Sequence, residues 1–270
     1  MARRRSEEEL LDDAWHALEE ADYEAAVEFG EQVLLRTPDD ADARHVVGAA
    51  LLELGDAATA IPHLERASAA VPEDAEILAD LGGAQFESLR FKDARATLAR
   101  ALALDKRLAR AHHWLGLLEE RDSNDRAARN HFADATRLAP DAYPPAFRVT
   151  EAEFHSLVEE AIRELPEDFR ASLNNLDIVV EPIPDDETLA GDPPLSPAIL
   201  GLHVGTPADE RPVSGAAGQL PNVIFLFQRN IERASRDHEH LVDEVRVTLL
   251  HEIGHYLGLD EDEVEERGLE

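Results

Sequence analysis

Apolar positions in the first half of the chain recur on two scales. Over short stretches they fall every three or four residues, the spacing of one face of an α-helix. Over longer distances the pattern returns every 34 residues. Pro38, Pro72 and Pro140 share one phase of that repeat, with Lys106 standing where a further proline would fall. Ala26, Ala60, Ala94 and Ala128 share a second phase. Gly48, Gly82 and Gly116 share a third, with Ala14 in the first copy. Each copy predicts two amphipathic helices, which in the second copy run over 41–54 and 57–70. Small residues mark the places where paired helices cross closely. Proline ends the second helix because it cannot donate the next hydrogen bond. One such hairpin cannot bury its apolar face alone, so four copies over residues 6–140 predict a stacked, all-α superhelix. Leu98, Ala101, Leu102, Leu115 and Leu118 belong to its core.

The periodicity breaks at Asp141-Ala142-Tyr143-Pro144-Pro145-Ala146-Phe147. Tandem proline makes a stiff, extended connector, so residues 141–150 read as a linker and 151–270 as a second domain. A helix is expected over 151–164, with Phe154, Leu157, Val158 and Ile162 on one face, and a shorter one over 167–174. Leu176 to Ile183 reads as a strand, and Pro221 to Phe227 as a second. Between them, residues 184–219 are rich in Pro, Gly and Asp and predict an irregular segment, a wall or lid beside a site. The strand at 221–227 is the one expected to accept an extended peptide by β-addition; its unbroken apolar character also permits full burial. A helix starting at 230 is expected to lead, with a break, into the helix that carries the chemistry.

That helix contains His251-Glu252-Ile253-Gly254-His255, an HExxH pattern. Positions i and i+4 share a helix face, so both imidazoles can point at one ion. Glu252 lies one step round the helix and can reach a water without being a ligand. The spacing is the one a zinc-dependent hydrolase needs. Val245, Val247, Leu249, Leu250 and Ile253 make the helix largely apolar, and ionisable groups in such a setting need partners. Gly258 is a natural helix stop that lets the chain turn back with a third ligand. By register that ligand is Glu261, with Asp260 the runner-up; the run Asp260-Glu261-Asp262 also suits a solvated helix N-terminus. The pattern predicts peptide-bond hydrolysis by a metal-activated water, with Glu252 as general base. Tyr256 reads as a packed core residue, with oxyanion stabilisation as the alternative, and His203 as a weak candidate either for supporting a ligand or for oxyanion duty.

Two families are recognisable on these residues. Residues 6–140 resemble the tetratricopeptide repeat, which implies a concave groove that holds a peptide, substrate or adaptor protein. Residues 150–270 resemble the bacterial minimal zincin-type metallopeptidases, most strongly over Thr248 to Glu261, and also at Pro194-Leu195-Ser196-Pro197, Leu200-Gly201, Leu220-Pro221 and Gln228-Arg229-Asn230. That resemblance implies a small α/β domain, zinc ligands at His251 and His255, a catalytic Glu252, and an acidic ligand carried onto Glu261. A metzincin Met-turn is absent, since the only Met is Met1, and nine residues follow Glu261. The expected fold is therefore an α+β two-domain chain.

Composition narrows the partners. A net charge of −32, from 58 acidic and 26 basic residues, repels nucleic acid and anionic membrane. Cysteine is absent, which excludes disulfides and thiolate chemistry. No apolar run approaches a membrane span, and the basic start Arg3-Arg4-Arg5 lacks the apolar segment of a signal peptide, so a soluble cytoplasmic protein is expected. Lysine occurs only at Lys92 and Lys106. A groove clamping a carboxylate would then need arginine, with Arg44, Arg110 and Arg129 as exposed candidates. His112 and His113 are adjacent, point to different faces and read as repeat surface or core. His238 and His240 read as surface residues. The leading expectation is a Zn2+ metallopeptidase whose repeats recruit its substrate or adaptor. The alternative is a repeat scaffold with a zinc-binding but catalytically weak domain.

Overall fold

Paired helices fill the first half of the chain in the computed structural model, which describes residues 5–165, 170, 173, 176–206, 222–259 and 263. Helix α1 (Glu7–Glu19) pairs with α2 (Tyr23–Leu34), α3 (Ala41–Glu53) with α4 (Ala57–Ala70), α5 (Ala75–Glu87) with α6 (Phe91–Leu104), and α7 (Ala109–Arg121) with α8 (Asp125–Leu138). Their starts follow the same 34-residue rhythm as the apolar pattern. Asp22 and Asp56 cap α2 and α4, and Asp40 and Asp74 cap α3 and α5, each accepting from a backbone N–H in the first turn. Such a cap contributes about 1 kcal/mol. Gly82 shows why the repeat needs a small residue at that phase. A Cβ there would stand 2.5 Å from Cγ of Leu98 on the partner helix.

A polar triad centred on a buried aspartate links three successive repeats. His45 on α3 meets Asp80 on α5 at 2.8 Å, Nε2 to Oδ2. The other Asp80 oxygen accepts from Arg110 on α7, and Arg110 also lies 3.6 Å from Glu53. Asp80 is 3% exposed. Burial alone would push its carboxyl up; the Arg110 charge and the His45 hydrogen bond outweigh that and hold it below the usual carboxylate range. The expectation of exposed arginines is corrected here. Arg44 is buried and donates to the Pro38 carbonyl, and Arg110 is committed to Asp80, so neither stands free for a carboxylate clamp. Arg129 is exposed.

The chain divides into two compact units, Met1–Pro145 and Ala146–Glu270. In the second, α9 (Glu151–Glu164) begins with a Thr150–Glu153 capping box. It is followed by β1 (Leu176–Glu181), a single-turn α10 (Asp186–Leu189), β2 (Gly201–Val204), β3 (Asn222–Phe227), α11 (Gln228–Ala234) and α12 (His238–Tyr256). The helix expected over 167–174 falls largely outside the described residues. The sheet order is β1-β3-β2, with β1 parallel to β3 (Leu176 opposite Asn222) and β2 antiparallel to it (Gly201 opposite Leu226). β3 is thus the central strand, paired on both sides, and cannot take a peptide by β-addition. Its apolar run reflects burial, with Ile224, Leu226 and Phe227 in the core.

Leu241, Val245, Leu249 and Ile253 recur every four residues on α12, each fully buried. They pack with Phe154 and Val158 of α9, Ile224 and Leu226 of β3, and Ile231 of α11. Glu232, also fully buried, fastens the chain ahead of α9 to α11. Its carboxylate accepts from Arg148 at 2.6 Å, the Val149 N–H at 3.1 Å and Gln228 at 2.8 Å. The rigid base so formed fixes the helix that carries HExxH.

Candidate metal centre

The core stripe of α12 leaves His251 and His255 together on another face, half-buried. Their Nε2 atoms stand 3.0 Å apart, and the rings meet edge to face with centroids at 4.6 Å. The turn after the helix sets the second ring. Gly258 takes φ +88°, and the chain reverses so that the Leu259 N–H bonds the Gly254 carbonyl at 3.1 Å. The same reversal places the Leu259 carbonyl 3.2 Å from His255 Nδ1. A carbonyl only accepts, so Nδ1 carries the proton and Nε2 offers a bare lone pair toward His251.

This arrangement fits a zinc ion. Two imidazole nitrogens on one tetrahedral zinc stand about 3.3 Å apart, close to the separation seen. A backbone carbonyl on the far ring nitrogen is one of the groups, with carboxylates and waters, that orient a metal-binding histidine. Glu261, Asp260 and Asp262 lie outside the described residues. Among the described residues no three His, Cys, Asp or Glu side chains gather closely enough to hold an ion.

Glu252 is 6% exposed and lies against the start of β2. A Cβ on Gly201 would stand 2.8 Å from both Glu252 Cγ and Thr248 Cγ2, and 2.9 Å from Glu252 Oε1. Only a residue without a side chain lets the strand lie this close to the carboxylate. Two residues on, on the same face of β2, His203 sits edge-on to Tyr256, with ring centroids 5.6 Å apart. Its Nε2 lies 3.2 Å from Asn222 Oδ1 across the β2–β3 pair. Tyr256 is buried at 2% exposure, as expected of a core residue. His240 pairs with Glu244 at 3.2 Å, and His238 meets Phe147 edge-on, so the two histidines act separately.

Sequence reasoning picked out Leu200-Gly201 through the family resemblance but missed β2, the close approach of Gly201 to Glu252, and the Leu259 carbonyl. A period-two signal was available for the strand: Leu200, Leu202 and Val204 alternate with Gly201 and His203 inside the segment read as irregular. The position of the Leu259 carbonyl had no such signal, because it depends on the turn geometry after the helix.

Residues 173–269 match the zincin-like metallopeptidase family, and residues 51–118 match the tetratricopeptide repeat. The chain joins tetratricopeptide repeats to a zincin-like metallopeptidase domain. Among solved structures it is similar to a MamA fragment (41-end) from Desulfovibrio magneticus RS-1, 28% identical over 49% of this chain and 75% of that one, with a TM-score of 0.44. The MamA RS-1 ArsTM double mutant is 26% identical over 53% of this chain and 80% of that one, also at 0.44. YrrB, described as a TPR protein with an unusual peptide-binding site, is 20% identical over 50% and 70%, at 0.43. No curated protein matches the chain. No helix among the described residues is long and apolar enough to cross a membrane.

Proposed function

We propose that the zincin-like unit is a zinc-dependent peptidase and that the repeats recruit its protein substrate or an adaptor. The observation that carries this reading is the facing pair of Nε2 atoms, 3.0 Å apart, with His255 held in the right tautomer by Leu259. His251 and His255 would hold the zinc, with Glu261 as third ligand and Asp260 the runner-up. When bound, zinc polarises the scissile carbonyl and acidifies a water. Glu252 takes the proton from the attacking water and delivers it to the leaving amine nitrogen, so the carboxylate is restored as the C–N bond breaks. Its seat against Gly201 and Thr248 limits water around it and fixes its reach. Among the described residues β2 pairs on one side only, so its other edge is where an extended peptide would pair with main-chain hydrogen bonds. The concave side of a repeat array offers the larger surface for a partner.

His251→Ala is expected to lower the zinc content of the purified, untagged chain by about one ion and to abolish peptide cleavage. Metal analysis of wild type and variant side by side tests this, and equal zinc contents would remove His251 from the site. Gly201→Ala probes the seat of the base. It should keep its zinc, yet cleave at least about 10-fold more slowly, because displacing a catalytic group by an ångström can cost about 100-fold. Unchanged cleavage would show that β2 does not position Glu252.

A further inference from the structure

A second pair of histidines, in the last repeat, shares with the HExxH pair its nitrogen-to-nitrogen separation and its backbone-carbonyl anchor, with the ring nitrogens exchanged and the rings at a different tilt. His112 on α7 and His131 on α8 bring their Nδ1 atoms to 3.0 Å, with ring centroids 5.2 Å apart. His112 Nε2 lies 3.2 Å from the Lys106 carbonyl. That carbonyl must accept, so Nε2 carries the proton and His112 Nδ1 presents a bare lone pair to its partner. At the HExxH pair the corresponding anchor is the Leu259 carbonyl on His255 Nδ1. In both places a backbone oxygen fixes the tautomer of one ring, and two ring nitrogens converge on one point.

Two carboxylates lie near the pair, each also bonded to an arginine. Asp134, one turn along α8 from His131, places Oδ2 3.9 Å from His112 Nδ1, within a side-chain rotation of a shared ion. Its other oxygen accepts from Arg137 at 2.8 Å. Glu119 faces the pair from α7, with Arg95 bound to it. Burial, and then the neighbouring His112, push the His131 imidazole below its ordinary range, which keeps its ring neutral and able to ligate near neutral pH. His112 is nearly buried, and Asp134 is 43% exposed, so water can complete the coordination. Without an ion, the one proton between the two Nδ1 atoms satisfies both rings. With an ion, that proton moves to His131 Nε2 and the metal takes its place.

We propose that His112 and His131 form a second metal site, clasping α7 to α8 and taking a divalent transition ion of the zinc class, with water, or Asp134 once its side chain has rotated, in the remaining positions. Imidazole donors of this kind suit Zn2+, Ni2+ and Cu2+ better than Mg2+ or Ca2+. The site is separate from the HExxH helix and stands whether or not that helix is catalytic.

The test uses the untagged full chain with His251→Ala and His255→Ala, which removes the HExxH pair. Zn2+ alone is added, and binding is read by equilibrium dialysis and by the shift in melting temperature. The doubly substituted chain is expected to bind about one Zn2+ and to melt at a higher temperature with it. Adding His131→Ala should abolish both effects while the helical circular dichroism is retained. His131→Gln serves as a second variant if alanine loosens the repeat. A doubly substituted chain that binds no Zn2+, or binding that survives loss of His131, overturns the proposal.

Discussion

Glu252→Gln is expected to keep the chain folded and zinc-loaded while lowering cleavage of a peptide library by about 10²- to 10⁴-fold. The substitution preserves the shape that packs against Gly201 and Thr248, so the close approach of β2 should survive. What it removes is the ability to accept a proton. A site whose Glu252 were only a packing residue would tolerate glutamine with little change in rate. His251→Ala behaves differently, because it should lose metal and activity together. The pair of variants therefore separates loss of the ion from loss of the base. Cleavage is read by mass spectrometry of the library and zinc by elemental analysis on the same preparations. Wild-type rates in the Glu252→Gln chain would take Glu252 out of the mechanism. If the expectation holds, the inert, zinc-loaded variant is also the form in which a substrate brought by the repeats should accumulate.

The repeat region was legible because its information is local and repeated. The 34-residue phases of Ala and Gly report helix crossings, and Gly82 against Leu98 is such a crossing. The Asp caps at positions 22, 56, 40 and 74 carried the same rhythm and would have sharpened the helix starts. What the pattern could not show is which charged residues the stacking buries. Arg44 and Arg110 look like free cations on a helical wheel, yet one bonds a carbonyl and the other a buried aspartate from the repeat before. That outcome depends on contacts between repeats, which no single-repeat pattern encodes.

The same distinction divides the second unit. His251 and His255 are brought together by the i, i+4 spacing alone, so the motif sufficed to place them. The strand beside Glu252 is only four residues long and sits in a Pro- and Gly-rich stretch, so composition outweighed its alternation. β3 was read as a binding edge because its apolar run fits either an edge or a centre. Only the long-range pairing of β1 and β2 on its two sides decides that it is central. His112 was judged by its sequence neighbour, whereas its partner lies 19 positions away on the next helix.

Asp80→Ala is expected to destabilise the repeat unit by about 3 kcal/mol at neutral pH. The effect is large because the aspartate is 3% exposed and joins three repeats at once. Its removal leaves the Arg110 guanidinium with Tyr143 and the more distant Glu53, and leaves His45 Nε2 without an acceptor. In thermal melts that cost should appear as a decrease of roughly 6–12 °C. Acid supplies a second reading. The folded carboxyl lies below its unfolded value, so its contribution is complete above about pH 4 and is lost as pH falls through the folded value. Glu232 is held low as well, after burial that alone would raise it, so the whole chain weakens in acid for more than one reason. The informative quantity is therefore the gap between wild type and Asp80→Asn, which keeps the shape and one acceptor but carries no charge. That gap should narrow as pH falls below about 4, because wild-type Asp80 becomes neutral too. A cost below about 1 kcal/mol for the alanine variant, or a gap that does not change with pH, would show that the triad is a by-product of packing and does not bind the repeats together.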